Sequence, residues 1–171
     1  MSKASLKKEL ASFDREQLVE IILAAYSSSK EAKEYFEFFL NPDADALYEK
    51  KLESISKELA RNKYGRSKAR ISHIRSTIKN MENFGVGPEY VARLMADTLK
   101  MIVAAERYYR FMPVMINGTG RFVKSLIEYC DKNGMISFAL DEIDKIARNT
   151  SSGRPSFRNF IASQAADFEK S

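Results

Sequence analysis

The sequence predicts an all-α protein, a compact or gently curved array of about nine helices without a sheet. Segment after segment places apolar residues three or four positions apart, which is the spacing of one helix face. Ser, Asp or Pro precedes most of these segments and Gly follows several of them, as expected of helix starts and stops. No segment alternates apolar and polar residues in the way that a half-buried strand does.

The first forty residues predict three short helices. The first covers the letters LKKELA. Asp14 then caps a second helix, with Gln17 three residues later as its partner in a capping box. We expect the second helix to bury one stripe, formed by Leu18, Ile21, Ile22 and Ala25. Ser28 and Glu31 predict the start of a third helix, KEAKEYFEFFL.

The middle of the chain predicts two further helices. Pro42 is expected at the first helical position of the fourth helix, which continues through ALYEKKLESISKELARN. Gly65 ends that helix, and Ser67 is the predicted cap of a fifth helix over roughly residues 68–84.

The second half predicts four more helices. The longest runs from about Pro88 to Phe111, and we interpret the NGTG cluster of residues 117–120 as part of the break that follows it. A seventh helix ends near Gly134, and an eighth precedes the loop TSSG. The ninth begins at Pro155. The large side chains that we expect in the core are Phe36, Phe39, Leu94, Ile102 and Phe160.

Length and composition indicate one globular domain. The 171 residues suit a single α-helical domain over 1–171, and residues 1–42 are the candidate for an N-terminal helical subdomain. A single cysteine, Cys130, excludes an intramolecular disulfide and fits a reducing compartment. The N-terminus does not resemble a signal peptide, and the apolar runs are too short to span a bilayer. We therefore expect a cytoplasmic protein that does not enter a membrane.

The residues needed for common catalytic and metal sites are missing from the pattern. The only histidine, His73, lies far along the chain from Cys130, and neither HExxH nor Glu-x-x-His occurs. No Walker-type glycine motif is present, and the acidic clusters alternate with apolar positions as solvated helix faces do. We expect no catalytic residue, no cofactor and no metal, so the protein is not predicted to be an enzyme.

One segment is strongly basic. Residues 61–80, RNKYGRSKARISHIRSTIKN, contain no acidic residue, whereas the net charge of the whole chain is only +5. On a helix, an apolar stripe from Ile71 to Met81 would face the core, and basic residues would border it on both sides. The candidate anion- or nucleic-acid-binding residues of this segment are Arg61, Lys63, Arg66, Lys68, Arg70, Arg75 and Lys79. The alternative is a solvated helix face that pairs with acidic neighbours.

A second, smaller cationic site is predicted at Arg154 and Arg158, near Arg148, where the Ser-rich loop enters the last helix. The free N–H groups of a helix start suit an anion.

Two functions remain open. The first is a non-catalytic helical binding module or scaffold that acts through contacts with an unidentified protein partner or as a homodimer. It is suggested by the absence of catalytic motifs and by aromatic residues on short helices, among them Tyr35 and Phe38. The second is binding of a nucleic-acid phosphate backbone through residues 61–80.

The patterns LKKELASFDREQLVEIILAAY, KEAKEYFEFFLNPD and FGVGPEYVARLM resemble a family of small bacterial proteins, a domain of unknown function (DUF6155-like). The resemblance covers roughly residues 5–100. Its marks are Leu6, Leu10, Leu18, Lys33, Tyr35, Phe36, Asn41, Pro42, Gly85, Pro88, Glu89 and Tyr90. The resemblance implies a helical fold in the bacterial cytoplasm, and it supplies no activity, substrate or catalytic residue.

Overall fold

The computed structural model describes residues 1–168, which form nine helices and one two-stranded antiparallel ribbon. The predicted all-α class is confirmed, and the short ribbon is the one departure from it. The contacts divide the chain into a first unit, Met1–Asp43, and a second unit that begins at Ala44.

The first unit contains three helices: α1 (Lys3–Leu10), α2 (Arg15–Ser28) and α3 (Lys30–Leu40). The predicted capping box of α2 is present. The Asp14 side chain accepts from the Gln17 N–H at 2.8 Å, and the Gln17 side chain accepts from the Asp14 N–H at 3.0 Å. Ser29, not Ser28, caps α3, because α2 extends as far as Ser28.

No residue of these three helices is fully buried. The predicted buried stripe of α2 is wrong, since Ile21 and Ile22 are 43% and 46% exposed. Phe39 is 65% exposed and Phe36 only half-buried, so neither belongs to a core as predicted. The helices α2 and α3 pack against each other, and a pair only 14 and 11 residues long has too little surface to cover both apolar faces.

The second unit contains six helices: α4 (Ala44–Leu59), α5 (Ile71–Asn83), α6 (Pro88–Tyr108), α7 (Pro113–Lys132), α8 (Ile136–Arg148) and α9 (Pro155–Phe168). Helix α6 packs against α4, α5, α7, α8 and α9, and is the centre of the unit. Leu94 and Ile102 on α6 are fully buried, as predicted, whereas Phe160 on α9 is half-buried. Pro42 lies before α4 and not at its first position, because α4 begins at Ala44.

The glycines of the NGTG cluster lie inside a helix. Residues 113–132 are one continuous helix, α7, so the predicted break at residues 117–120 is wrong. A Cβ atom at Gly118 would lie 3.0 Å from Cγ1 of Ile71, the first residue of α5. A Cβ atom at Gly120 would lie 2.9 Å from Cζ of Phe160 on α9. The two glycines therefore let neighbouring helices approach the α7 backbone closely.

The ribbon precedes α5. Its strands are β1 (Asn62–Lys63) and β2 (Arg66–Ser67), so the fifth helix begins at Ile71 and not near residue 68. Strands of two residues are too short to show an alternating pattern, which is why the sequence did not predict them.

The turn of this ribbon is strained. Tyr64 and Gly65 both have positive φ, 53° and 71°, as a two-residue turn between right-twisted strands requires. The left-handed conformation costs a residue other than glycine roughly 1–2 kcal/mol. The ribbon is held from one side, because the Arg110 N–H donates to the Gly65 carbonyl at 2.8 Å and the Ser67 N–H donates to the Arg110 carbonyl at 3.2 Å.

None of the helices in the described part of the chain combines the length and the apolar character that crossing a bilayer requires.

Replacing Gly118 by Val should lower the free energy of unfolding by about 1–3 kcal/mol, because the added side chain overlaps Ile71 in a packed contact. Urea unfolding followed by circular dichroism measures the change. Asn117→Val is the matched control, since it places the same side chain at an exposed position of the same helix. Equal stability of the two variants would show that the contact at Gly118 does not constrain the packing.

Candidate functional site: a basic groove between two helix starts

The first turns of α5 and α7 lie on two sides of a groove of about 540 Å³. Two segments, residues 67–75 and 112–121, line the groove. The lining residues are Ser67, Ala69, Arg70, Ile71, Ser72, Arg75, Met112, Val114, Met115, Gly118 and Arg121. Gly118 is part of this lining because it carries no side chain toward Ile71. The packing of α5 on α7 thus creates the groove.

The only charged groups that line the groove are three guanidinium groups, those of Arg70, Arg75 and Arg121. Arg75 donates from Nη2 to the Ser125 hydroxyl at 2.9 Å. Within residues 1–168, neither Arg75 nor Arg121 has an ion pair with a carboxylate. Because no Asp or Glu lines the groove, all the charged side chains that line it are positive.

The two helix starts add to this positive charge. Neither α5 nor α7 has a side-chain cap or an acidic residue in its first turn. In the part of the chain that the structure describes, the N–H groups of Ile71, Ser72 and Val114 have no acceptor. Uncapped helix starts carry about half a positive charge each and offer N–H donors, so they bind anions.

One carboxylate, that of Glu58, holds Arg70 at the rim of the groove. Glu58 on α4 accepts from the Arg70 backbone N–H at 2.8 Å, from Arg70 Nε at 3.4 Å and from Arg61 Nη1 at 3.0 Å. Burial of the side chain opposes ionisation, but these donors outweigh it and hold the pKa of Glu58 below its ordinary value. Glu58 therefore stays charged near neutral pH and fixes the residue that precedes α5.

The structure places the predicted basic residues in several environments. Of the predicted residues, only Arg70 and Arg75 line the groove. Lys79 lies on α5 outside it and pairs with Glu82 at 2.7 Å. Lys63 lies in the ribbon with Nζ 5.2 Å from the centre of the Tyr64 ring. Residues 61–80 are thus not one basic helix but a ribbon, a loop and the start of α5.

Two further predicted residues, Arg66 and Lys68, precede α5 and are exposed, and neither has an ion pair within the described residues. Sequence reasoning missed Arg121 and the exposed Arg110. Both are far from Arg70 in sequence, so only the fold brings them to the basic segment. A usable signal was Pro113, which begins a helix whose first turn contains no acidic residue.

In the second predicted site, the basic side chains bind other groups of the protein. Arg154, just before α9, pairs with Glu106 at 2.9 Å, and its backbone N–H donates to the same carboxylate at 2.9 Å. Arg158 is only 8% exposed. Its guanidinium group donates to the carbonyl groups of Ala147, Thr150, Ser152 and Gly153. Arg154 and Arg158 therefore hold the loop between α8 and α9 and do not form an open anion site.

Other reactive groups are buried or dispersed. Burial raises the pKa of the Cys130 thiol to about 11, so the thiol remains protonated near neutral pH. Over residues 1–168, no three His, Cys, Asp or Glu residues are placed to hold a metal ion together.

Comparison with known proteins gives one match. The model of a family of unknown function, DUF6155, matches residues 1–153, a longer part of the chain than the resemblance in its first hundred residues. No curated protein and no solved structure matches the chain.

Replacing Glu58 by Gln should lower the free energy of unfolding by about 1 kcal/mol at neutral pH, because its charge-assisted hydrogen bonds become neutral ones. A carboxylate with a lowered pKa stabilises the fold above its unfolded-state pKa of about 4.3, and this contribution is lost as the pH falls through the folded-state pKa. The difference between variant and wild type should therefore shrink below about pH 4.

Urea unfolding at several pH values measures this difference. Glu53→Gln is the control on the same helix, because Glu53 is 64% exposed and pairs only with Lys57. A Glu58→Gln effect that is equal to that of the control, or that does not change with pH, would contradict the positioning role of Glu58.

Proposed function

We propose that this chain, which belongs to the family of unknown function DUF6155, is a non-catalytic binding module that holds the phosphate groups of a nucleic acid in the groove between α5 and α7. The observation that carries the proposal is the composition of the groove. Three arginines and two uncapped helix starts converge there, and no carboxylate lines it. Guanidinium groups and helix-start N–H groups are the donors that phosphate oxygens prefer.

A polymer is favoured over a single small anion because the cations continue beyond the groove. Arg66 and Lys68 are exposed on the ribbon side. Arg110 is also exposed, and its backbone is hydrogen-bonded to the ribbon. A row of cations of this kind fits repeated phosphates along a backbone. If the groove arginines contact phosphate and not base edges, binding should depend little on base sequence.

We also propose a cellular compartment for the protein and infer that it catalyses no reaction. A protein of this kind works in the bacterial cytoplasm, where nucleic acid is accessible and where the free thiol of Cys130 stays reduced. No His, Asp, Glu or Lys lines the groove that could act as a general base on the hydroxyl groups of Ser67 and Ser72, which supports binding without chemistry.

Binding can be measured by fluorescence anisotropy with labelled nucleic acids of about 15 nucleotides, single-stranded and duplex, between about 50 and 200 mM salt. The double variant Arg75→Gln/Arg121→Gln should bind about tenfold more weakly, because it removes two charge-assisted phosphate contacts. The slope of log affinity against log salt should become shallower by about 1–2.

The matched control is Lys132→Gln/Lys145→Gln, which makes the same change in net charge on α7 and α8, away from the groove. Its affinity should stay close to that of the wild type. Equal weakening by both double variants would mean that net charge, and not the groove, attracts the nucleic acid. Absence of binding at about 50 mM salt would reject the function itself.

Contact with another polypeptide is the second candidate, and the first unit favours it. Its 43 residues expose ten large apolar side chains: Met1, Leu6, Phe13, Val19, Ile21, Ile22, Leu23, Tyr35, Phe39 and Leu40. A unit of this size cannot bury an adequate core by itself. A second copy of the chain would offer the same apolar faces, bordered by both Lys and Glu residues, so a homodimer is the proposed form.

Light scattering after size-exclusion chromatography tests this second proposal. The wild type should show twice the chain mass of 19.5 kDa at high concentration. Ile22→Glu should shift the equilibrium to the monomer, because it places a charge in the apolar interface. Ser27→Glu, at another exposed position of α2, should leave the dimer intact. A wild-type protein that remains monomeric at the highest concentration would exclude the homodimer.

A further inference from the structure

An exposed aromatic ring that is not part of the core lies at the tip of the ribbon. Tyr64 is 90% exposed, and it occupies the first position of a two-residue turn with a φ of 53°. Asn, Asp or Gly would adopt this conformation more readily than Tyr. A large side chain at this position therefore neither packs a core nor suits its turn. Lys63 Nζ lies over one face of the ring, and the opposite face remains available for a ligand.

Backbone hydrogen bonds hold the ribbon that carries the Tyr64 ring. The Arg110 N–H donates to the Gly65 carbonyl at 2.8 Å and attaches the turn to the chain after α6, and the Lys68 N–H donates to the Arg61 carbonyl at 2.7 Å and closes the base of the ribbon. Such a support fixes the backbone at Tyr64 before a ligand arrives, which lowers the backbone entropy lost on binding.

The surroundings of the ring are cationic. Lys63 Nζ lies 5.2 Å from the ring centre. Arg66, the cross-strand partner of Lys63, is exposed and has no ion pair in the described part of the chain. Ser67, three residues after Tyr64, lines the basic groove, so ring and groove are separated by no more than about 10 Å of chain. An aromatic face beside phosphate-binding cations is the arrangement with which proteins hold single strands.

We propose that the ligand of the groove is a single-stranded nucleic acid and that one of its bases stacks on Tyr64 while the adjoining phosphates enter the groove. This inference rests on the proposed nucleic-acid binding and specifies its ligand. A duplex keeps its bases stacked inside and offers Tyr64 no face, whereas every base of a single strand has one. Stacking uses no base-specific hydrogen bond, which agrees with groove arginines that contact phosphate.

Three labelled ligands of about 15 units separate stacking from phosphate binding: oligothymidylate, the same backbone with abasic sites throughout, and a duplex. The wild type should bind oligothymidylate about tenfold more tightly than the abasic strand, which offers equal phosphates and no bases. The duplex should also bind more weakly than oligothymidylate.

Two variants of Tyr64 complete the test. Tyr64→Asn should bind oligothymidylate and the abasic strand equally, although Asn favours the turn and keeps the ribbon folded. Its salt dependence should match that of the wild type, because no phosphate contact is removed. Tyr64→Phe retains an aromatic face and should restore the preference for bases.

The outcomes separate the two proposals. If the wild type binds oligothymidylate and the abasic strand equally, or if Tyr64→Asn keeps the preference, then stacking on Tyr64 is wrong and phosphate binding by the groove stands. If none of the three ligands binds at about 50 mM salt, both proposals fail.

Discussion

The contact between Ile71 and Gly118 is the constraint on which the rest of the candidate site depends. A Cβ atom at position 118 would lie about 3.0 Å from Ile71, so glycine lets α5 begin directly against the backbone of α7 without a shift of Ile71. Glycine inside a helix costs about 1 kcal/mol relative to alanine. The fold accepts this cost at a point where two helix starts, both without caps, come to face one groove.

This arrangement gathers positive charge that the fold does not neutralise. The arginines repel one another, and the two helix starts increase the repulsion. Glu58 relieves part of it at the rim, where it pairs with Arg61 and Arg70, but it does not line the groove. The start of α9 provides the contrast inside the same molecule. There Glu106 accepts from the Arg154 backbone N–H and pairs with its guanidinium group, so a carboxylate balances the positive charge beside that helix start. The unsatisfied groove is therefore the more suitable place for an external anion.

The sequence predicts local features well because neighbouring residues determine them. The capping box of α2 and the burial of Ile74, Ile78 and Met81 on α5 follow from spacing alone. Features that depend on distant segments could not be predicted. Arg121 lines the same groove as Arg70 only because α7 packs against α5. Glu106 accepts a hydrogen bond from Arg154, a residue 48 positions later in the chain.

The prediction of a break at residues 117–120 was wrong because glycine was interpreted as a helix breaker. Gly118 lies inside α7, where it allows close packing against α5. The ribbon was missed for another reason. Its turn requires positive φ at Tyr64, a residue that does not indicate such a turn.

The central claim is that the backbone N–H groups at the starts of α5 and α7 bind phosphate together with the groove arginines. An NMR titration of the ¹⁵N-labelled protein with a short oligothymidylate tests it most directly, since each amide reports its own hydrogen bond. We expect saturable shifts of the Ile71, Ser72 and Val114 amide signals, with the same midpoint for all three. Shifts confined to lysines elsewhere on the surface, with these three amide signals unchanged at saturation, would contradict it.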